Sequence, residues 1–395
     1  MTAPRARIVE RIAEITPEAW DRCCPGEAEN HAYYSACEQA LAGSGSSIAM
    51  GAACVEDAFG ISAIAPFFLF NYRLDTPFQG GLRRFGDAVF RLAPRLVSLK
   101  VLCVGSPYAE RCHASVRNGL GSEQSASAFA ALGDILDQHA RSVGADLVAW
   151  KDVAEQGAPG LRDALLSRGF ARVGSLPFAV LDLPFVGEAD YLASLSAATR
   201  KDVRRKLAKA GEVRVEMRHG LEGIESEITE LYESTRAESG LDYGDLEVLP
   251  PDYFKAVSAA LGERAVFALY WVGQTLAAFN LLLIENDRVI DKFLGMRYPL
   301  ARQHNLYAVS WMTNVRFCLE RGIVRLQTGQ TAYASKLRFG SRLVPSTVFF
   351  RHRNAALQWA LKSASPWFAF DRFDPDLRAL RRTPAREQAA REQAA

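Results

Sequence analysis

Several features are scarce in this 395-residue chain, and each absence removes a class of protein. No apolar run approaches the roughly 18–20 residues that span a bilayer; the best stretches, 61–70 and 276–284, have strand length. The first fifteen residues carry Arg5, Arg7, Glu10, Arg11 and Glu14 where a signal peptide has an apolar core, so no leader is expected. The seven cysteines are odd in number and form no CxxC pair, which argues against a disulfide framework and against a thiolate zinc site. A reduced, cytoplasmic chain is expected. The six histidines form no HxxxH or HExxH pair, so a metal enzyme is disfavoured and no metal ligand is assigned. Charge of one sign is lacking too: 47 basic against 45 acidic residues leave +2, too little for a protein coated with nucleic acid.

What remains is an ordinary globular composition, 49% hydrophobic and 23% charged. At about 100–200 residues per domain the length suggests two domains. Both halves alternate strand and helix patterns. In the first half, 7–15, 61–70, 97–104, 146–153 and 172–183 read as strands, with Pro66 pointing to an edge or a break. Residues 17–24, 32–42, 128–143 and 161–169 read as helices. Charge segregates along the chain. Residues 1–184 hold 17 basic and 20 acidic residues, and the rest hold 30 and 25, so an anion site belongs to the second half. There, 213–218 reads as a strand, and 224–239 and 251–261 as helices. A three-strand meander follows over 265–271, 276–285 and 288–296. A helix over 305–321, a strand at 324–327, a short helix at 332–338 and a strand over 344–351 complete the pattern. The repetitive Ala/Arg/Glu/Gln tail is expected to be disordered.

Three segments carry a family resemblance. They are the basic helix Ala198-Thr-Arg-Lys-Asp-Val-Arg-Arg-Lys-Leu-Ala-Lys209, the stretch Phe293-Leu-Gly-Met-Arg-Tyr-Pro299 with the helix ending Glu320-Arg-Gly322, and Leu326-Gln-Thr-Gly-Gln-Thr-Ala-Tyr-Ala-Ser-Lys336-Leu-Arg-Phe-Gly340. Their order resembles a GNAT-superfamily acyltransferase. It resembles in particular the branch joining Fem-type aminoacyl transferases to the acetyltransferase-like domain of cellulose-biosynthesis and biotin-cluster proteins. The resemblance implies a mixed α/β fold of tandem GNAT-like domains. Residues 1–184 are read as a degenerate copy, 185–375 as the acyltransferase domain and 376–395 as the tail.

The resemblance also assigns candidate residues. Lys336 is expected to stabilise charge at the reacting carbonyl, with Tyr333 one turn earlier on the same side and His304 as a general base. Arg302, Gln303, Asn305 and Ala308 occupy the loop that cradles the acyl-CoA pyrophosphate in the family. Neither of the usual glycines is present there, and Asn305 alternatively serves as a helix N-cap. Arg200 and Arg204, one stripe of a helix with six cations in ten residues, suggest a phosphate clamp. Tyr243, Asp245, Asn280, Gln327 and Gln330 are assigned to the acceptor. The implied reaction is N-acyl transfer from acyl-CoA, a co-substrate and not a bound cofactor, to an amine of a small molecule or cell-envelope precursor. Aminoacyl-tRNA as the donor and a non-catalytic ligand-binding relative are the alternatives.

Overall fold

The computed structural model describes residues 5–73, 98–155, 160–239, 246, 248–365 and 374–382. The chain divides into two compact units, 1–176 with 242–253 and 345–373, and 177–241 with 254–344 and 374–395. Each is built on its own mixed sheet.

The first unit contains β1 (Arg5–Val9), β2 (Ala49–Asp57), β3 (Gly60–Arg73), β4 (Ser98–Val104), β5 (Ser115–Val116), β6 (Leu147–Ala154), β7 (Ala171–Gly174) and β15 (Ser346–His352). Its sheet runs β1-β2-β3-β4-β6-β15-β7, with β5 beside β3. Among the described residues of this sheet only β4 and β6 pair in parallel, and the connection between them runs through β5 and α3 (Ser122–Ser142), a crossover long enough to bring the chain back in the same direction. The other helices of this unit are α1 (Pro17–Asp21), α2 (His31–Gly43), α4 (Leu161–Ser167) and α12 (Ala355–Ala364). Pro66 sits inside β3, not at an edge. Its partner on β2 is Ala52, while on the other side β4 pairing starts at Phe67 and β5 pairing stops at Ile64. The missing N–H therefore falls in the gap between two neighbours, where no ladder bond is lost.

The second unit holds β8 (Phe178–Asp182), α5 (Glu188–Ser194), α6 (Ala197–Lys209), β9 (Val213–Arg218), α7 (Glu225–Ser239) and α8 (Tyr253–Leu261), of which Tyr253 belongs to the first unit. The meander β10 (Ala265–Val272), β11 (Thr275–Ile284) and β12 (Arg288–Met296) follows. Then come α9 (Leu300–Gln303), α10 (Leu306–Glu320), β13 (Arg325–Gln327), α11 (Tyr333–Arg338) and β14 (Arg342–Val344). Its sheet order is β14-β8-β13-β12-β11-β10-β9. One face is apolar under α10, where Trp311, Met312, Val315 and Phe317 bury against Val266, Leu282 and Val289. On α7, Tyr232 packs edge-on against Phe254 and Phe293, and Phe254 in turn meets Phe279, with ring centroids 5.3–5.8 Å apart.

Three expectations change. The run 172–183 is not one strand: β7 belongs to the first sheet and β8 to the second, with Pro177 between them. The run 344–351 divides likewise at Pro345, since Val344 pairs with Phe178 and Ser346 with Ala154. Residues 177–184 therefore join the second unit and 345–373 the first, against the boundary at 184. Proline explains both breaks, because it cannot donate to a continuing ladder. Part of the expected tail is helical as well. Pro375–Arg382 forms α13, whose Leu377 N–H bonds Asp374 Oδ1 at 3.0 Å and whose Asp376 accepts from Ala334 N–H at 2.9 Å.

Candidate active site

The second sheet contains a fork. β12 pairs in parallel with β13 over only three positions, Arg288↔Arg325, Val289↔Leu326 and Ile290↔Gln327. β12 then continues to Met296, while the chain after Gln327 stays with β8: Thr328 N–H bonds Ala179 O at 2.9 Å and Ala179 N–H bonds Gly329 O at 3.0 Å. The two arms part at that point. β12 also carries a bulge. Leu281 pairs with Phe293 and Leu282 with Asp291, which leaves Lys292 as the extra residue and re-aims the side chains around it.

Asp291 is the first residue past the parallel pairing. Its Oδ1 accepts from Asn280 Nδ2 at 2.8 Å, and its Oδ2 accepts from Asn314 Nδ2 at 3.0 Å. Asn280 and Asn314 are 0% and 1% exposed, whereas Asp291 keeps part of its surface. Asn280 Oδ1 and Asn314 Oδ1 are buried and have no protein hydrogen-bond partner. Burial pushes the Tyr270 and Tyr307 hydroxyls and the Cys318 thiol up, and the Asp291 charge adds to each. The carboxylate is thus the electrostatic centre of a polar island inside an apolar face.

The other arm is a strained turn. Gly329, Thr331 and Ala332 all have positive φ, at 74°, 62° and 50°, and for Thr and Ala that geometry is costly. Lys336, 6% exposed, turns its ammonium back into this turn and donates to Gly329 O at 3.1 Å and Gln330 O at 2.9 Å. Tyr333, fully buried, donates to Pro177 O at 2.8 Å. Lys336 and Tyr333 therefore do share a side of α11, and both hold the arm in place. Gln327, 1% exposed, accepts from Arg288 Nη1 at 3.1 Å, and Gln330 contributes its carbonyl to Lys336.

The remaining candidates lie elsewhere in the unit. Arg200 is not part of a clamp: its guanidinium bonds Ala193 O and Leu195 O at 3.0 and 3.1 Å and so closes the C-terminus of α5. Arg204 is exposed. Two other cations of α6, Arg205 and Lys206, converge with Arg338 of α11 on Asp202 at 2.7–2.8 Å. Hydrogen bonds from Lys206 and then Arg205 hold the Asp202 carboxyl far below its usual range. Arg302 pairs with Glu238 and lies 5.3 Å over the Tyr298 ring. Gln303 is exposed, and His304 is half-buried as the C-cap of α9. Asn305 stands at the N-cap of α10 with φ 53°, but its backbone oxygen receives Ala308 and Val309 N–H and its side chain makes no cap bond. Ala308 is buried. Tyr243 and Asp245 lie outside the described residues. Asp291 and Asn314 were missed by sequence reasoning. The available signal was a carboxylate and an amide at inward positions of an otherwise apolar strand and helix.

Residues 197–336 match the family model described as "Acetyltransferase (GNAT) domain". That match covers about a third of the chain and falls within the span of the second unit. Among curated proteins, the chain is 27% identical over 225 residues to "Putative 8-amino-7-oxononanoate synthase 2" of Mycobacterium tuberculosis. That match covers 55% of this chain and 29% of the relative, so this chain aligns with under a third of the relative's length. Among solved structures, FemX superposes with a TM-score of 0.53 at 12% identity, covering 82% of this chain and 92% of FemX. The C-terminal domain of "Putative Lysylphosphatidylglycerol Synthetase" from Agrobacterium fabrum gives 0.51 at 13%, covering 88% and 96%. At these identities the likeness is one of fold: the chain shares with these structures a mixed α/β architecture, built here on two mixed sheets. Among the described residues, no group of three His, Cys, Asp or Glu side chains is placed to hold a metal, and no helix is long and apolar enough to cross a membrane.

Proposed function

We propose that the chain is an N-acyltransferase that moves an acyl group from an acyl-CoA thioester to an amine of a small molecule or cell-envelope precursor. The observation that carries this reading is the fork between β12 and β13, with a partly buried carboxylate at its apex and a strained, lysine-clamped turn on its far arm. A wedge between strands admits the thin thioester arm of a donor, and the amine approaches at the apex. In the reaction the C–N bond forms, the C–S bond breaks and sulfur leaves as thiolate. An ammonium acceptor sheds two protons, one to a base before attack and one that neutralises the thiolate. No covalent enzyme intermediate is required. Lys336 and Tyr333 serve as positioning residues, because their polar groups fix the turn that forms one wall of the wedge.

One observation favours a second reading, a ligand-binding relative without turnover. The Met296 N–H, which points away from β11, is already bonded to Thr235 Oγ1 at 2.7 Å and is not open to a donor. Thermal shift with a panel of CoA thioesters, followed by thiol release with amines added, separates the two. A donor at ~100 times its dissociation constant adds roughly 2.7 kcal/mol of stability. Amine-dependent thiol release is expected. Binding without release selects the ligand-binding reading, and no binding of any CoA thioester rejects the acyl-CoA donor and directs the assay to aminoacyl-tRNA.

A further inference from the structure

We infer that β9, the outer strand of the second sheet, is a pairing edge for a second copy of this chain, which docks antiparallel about a two-fold axis through Val215. The pairing is independent of the reaction proposed above.

Among the described residues β9 closes the strand order, with β10 on its inner side. An open edge presents a row of N–H and C=O groups, and a short strand, a proline or a bulge usually blunts it. At the opposite end of the sheet β14 has three residues; β9 has six, no proline, and an unbroken register with β10. Val215 and Met217 are each 40% exposed on it. Neighbouring bonds fix which way its backbone points. Val213 gives its N–H to Ala210 O at 2.9 Å and not to β10, so alternation turns the N–H and C=O of Val215 and Met217 outward as well. The ladder gives the same answer from its other side. Met296 turns its N–H away from Ala278, so Ala278 bonds Tyr270, and Tyr270 then leaves Val215 facing out.

Charge selects the register. Val213, Val215 and Met217 of one copy must meet the same outward set on the other, which leaves few two-fold axes. Opposite charges directly across an antiparallel pair stabilise it, and like charges destabilise it. An axis through Arg214 sets Arg214 on Arg214 and Glu212 on Glu216. An axis through Glu216 sets Glu216 on Glu216 and Arg214 on Arg218. An axis through Val213 or Met217 leaves half of the strand or more unpaired. An axis through Val215 sets Arg214 opposite Glu216 and Glu212 opposite Arg218, each twice. It also sets Val213 opposite Met217 and Val215 opposite its own copy, so the exposed apolar side chains cover one another. Within one copy Arg214 already reaches Glu216 at 3.1 Å, and the second copy repeats that pair across the seam. The edge is thus complementary to itself in charge, backbone direction and apolar face.

The test is sedimentation equilibrium of the wild-type chain from about 1 μM to about 1 mM, and of Arg214→Glu, Glu216→Arg and their equimolar mixture. The wild-type mass is expected to rise toward twice that of the chain. Each single substitution sets like charges opposite one another and should weaken self-association about tenfold. In the mixture each copy supplies the sign the other lacks, and association should return to within about threefold of wild type. Mild oxidation of Val215→Cys reads the register directly. Cα atoms of a hydrogen-bonded antiparallel pair stand about 5.5 Å apart, inside the disulfide range of about 4.4–6.8 Å. The two Met217 positions are offset by roughly 14 Å at ~3.4 Å per residue. A disulfide-linked dimer from Val215→Cys and none from Met217→Cys is therefore expected, the native cysteines being buried or half-buried. A wild-type chain that stays monomeric throughout overturns the inference. So does a mixture of folded variants that associates no better than either alone, or equal cross-linking at the two positions. The wild-type mass and the cysteine pair decide the matter even if a charge variant does not fold.

Discussion

Replacing Lys336 by Met keeps the length of the side chain and removes its ammonium. Two bonds then vanish, those to Gly329 O and Gln330 O at 3.1 and 2.9 Å. Hydrogen bonds to a charged donor contribute about 1.5–3 kcal/mol each, and two that share one donor group contribute less than twice that. The turn they restrain holds Thr331 and Ala332 in the left-handed region, where each non-glycine residue costs roughly 1–2 kcal/mol. Taken together, a loss of about 3 kcal/mol is expected, and a domain of 150–250 residues shifts its midpoint by about 2–4 °C per kcal/mol. The transition assigned to the second unit should therefore fall by roughly 6–12 °C in scanning calorimetry. Thiol release should fall with it, chiefly through a poorly held fork wall. If the midpoint moves by less than about 2 °C while kcat collapses, Lys336 acts directly on the reacting carbonyl and the positioning argument is refuted.

Gly295→Ala should disrupt the same region by another route, because an added Cβ would stand 2.2 Å from Phe279 Cε1 and 2.9 Å from the Leu231 backbone carbon. Overpacking of this kind costs about 1–3 kcal/mol or more; an unchanged urea midpoint would show that α7 does not press on β12 as described. The cysteines give a pH-dependent prediction. Burial pushes Cys23, Cys24, Cys54 and Cys318 up to about 12. Since the folded values lie above an unfolded value of about 8.5, their contribution to stability is intact below that pH and is lost as pH rises from there toward 12. Iodoacetamide at pH 8 should leave these four unmodified in the native chain and label all four in denaturant. Stoichiometric labelling of the native chain, read by mass spectrometry, would show that they are not buried.

Much of the second unit follows from local sequence. The meander over residues 265–296, the basic helix and the long helix before Gly322 have periodicities and turn residues strong enough to fix each element within a few positions. The strained turn before Lys336 is visible as Gly329 followed by a short helix. The helix over Pro375–Arg382 was concealed by its low apolar content, since it is held by one buried leucine, Leu377, the Asp374 cap and the Asp376 bond to Ala334 N–H.

Partner choice is a different matter. That 172–183 and 344–351 each serve two sheets depends on which strand edges are open, and a run of alternating residues carries no record of that. Arg200 looked like a phosphate ligand because charge runs along a helix do not show what faces them; its true partners are carbonyls at the end of the preceding helix. Asp291, Asn280 and Asn314 are separated in sequence by 11 and 23 residues and meet only because β11, β12 and α10 stack at the fork. Sequence alone thus determined the element types, the GNAT resemblance and the small net charge. The exchange of strands between sheets, the clamping role of Lys336 and the carboxylate at the apex were decided by long-range contacts, whose energies are set by burial and partner geometry and not by local propensity.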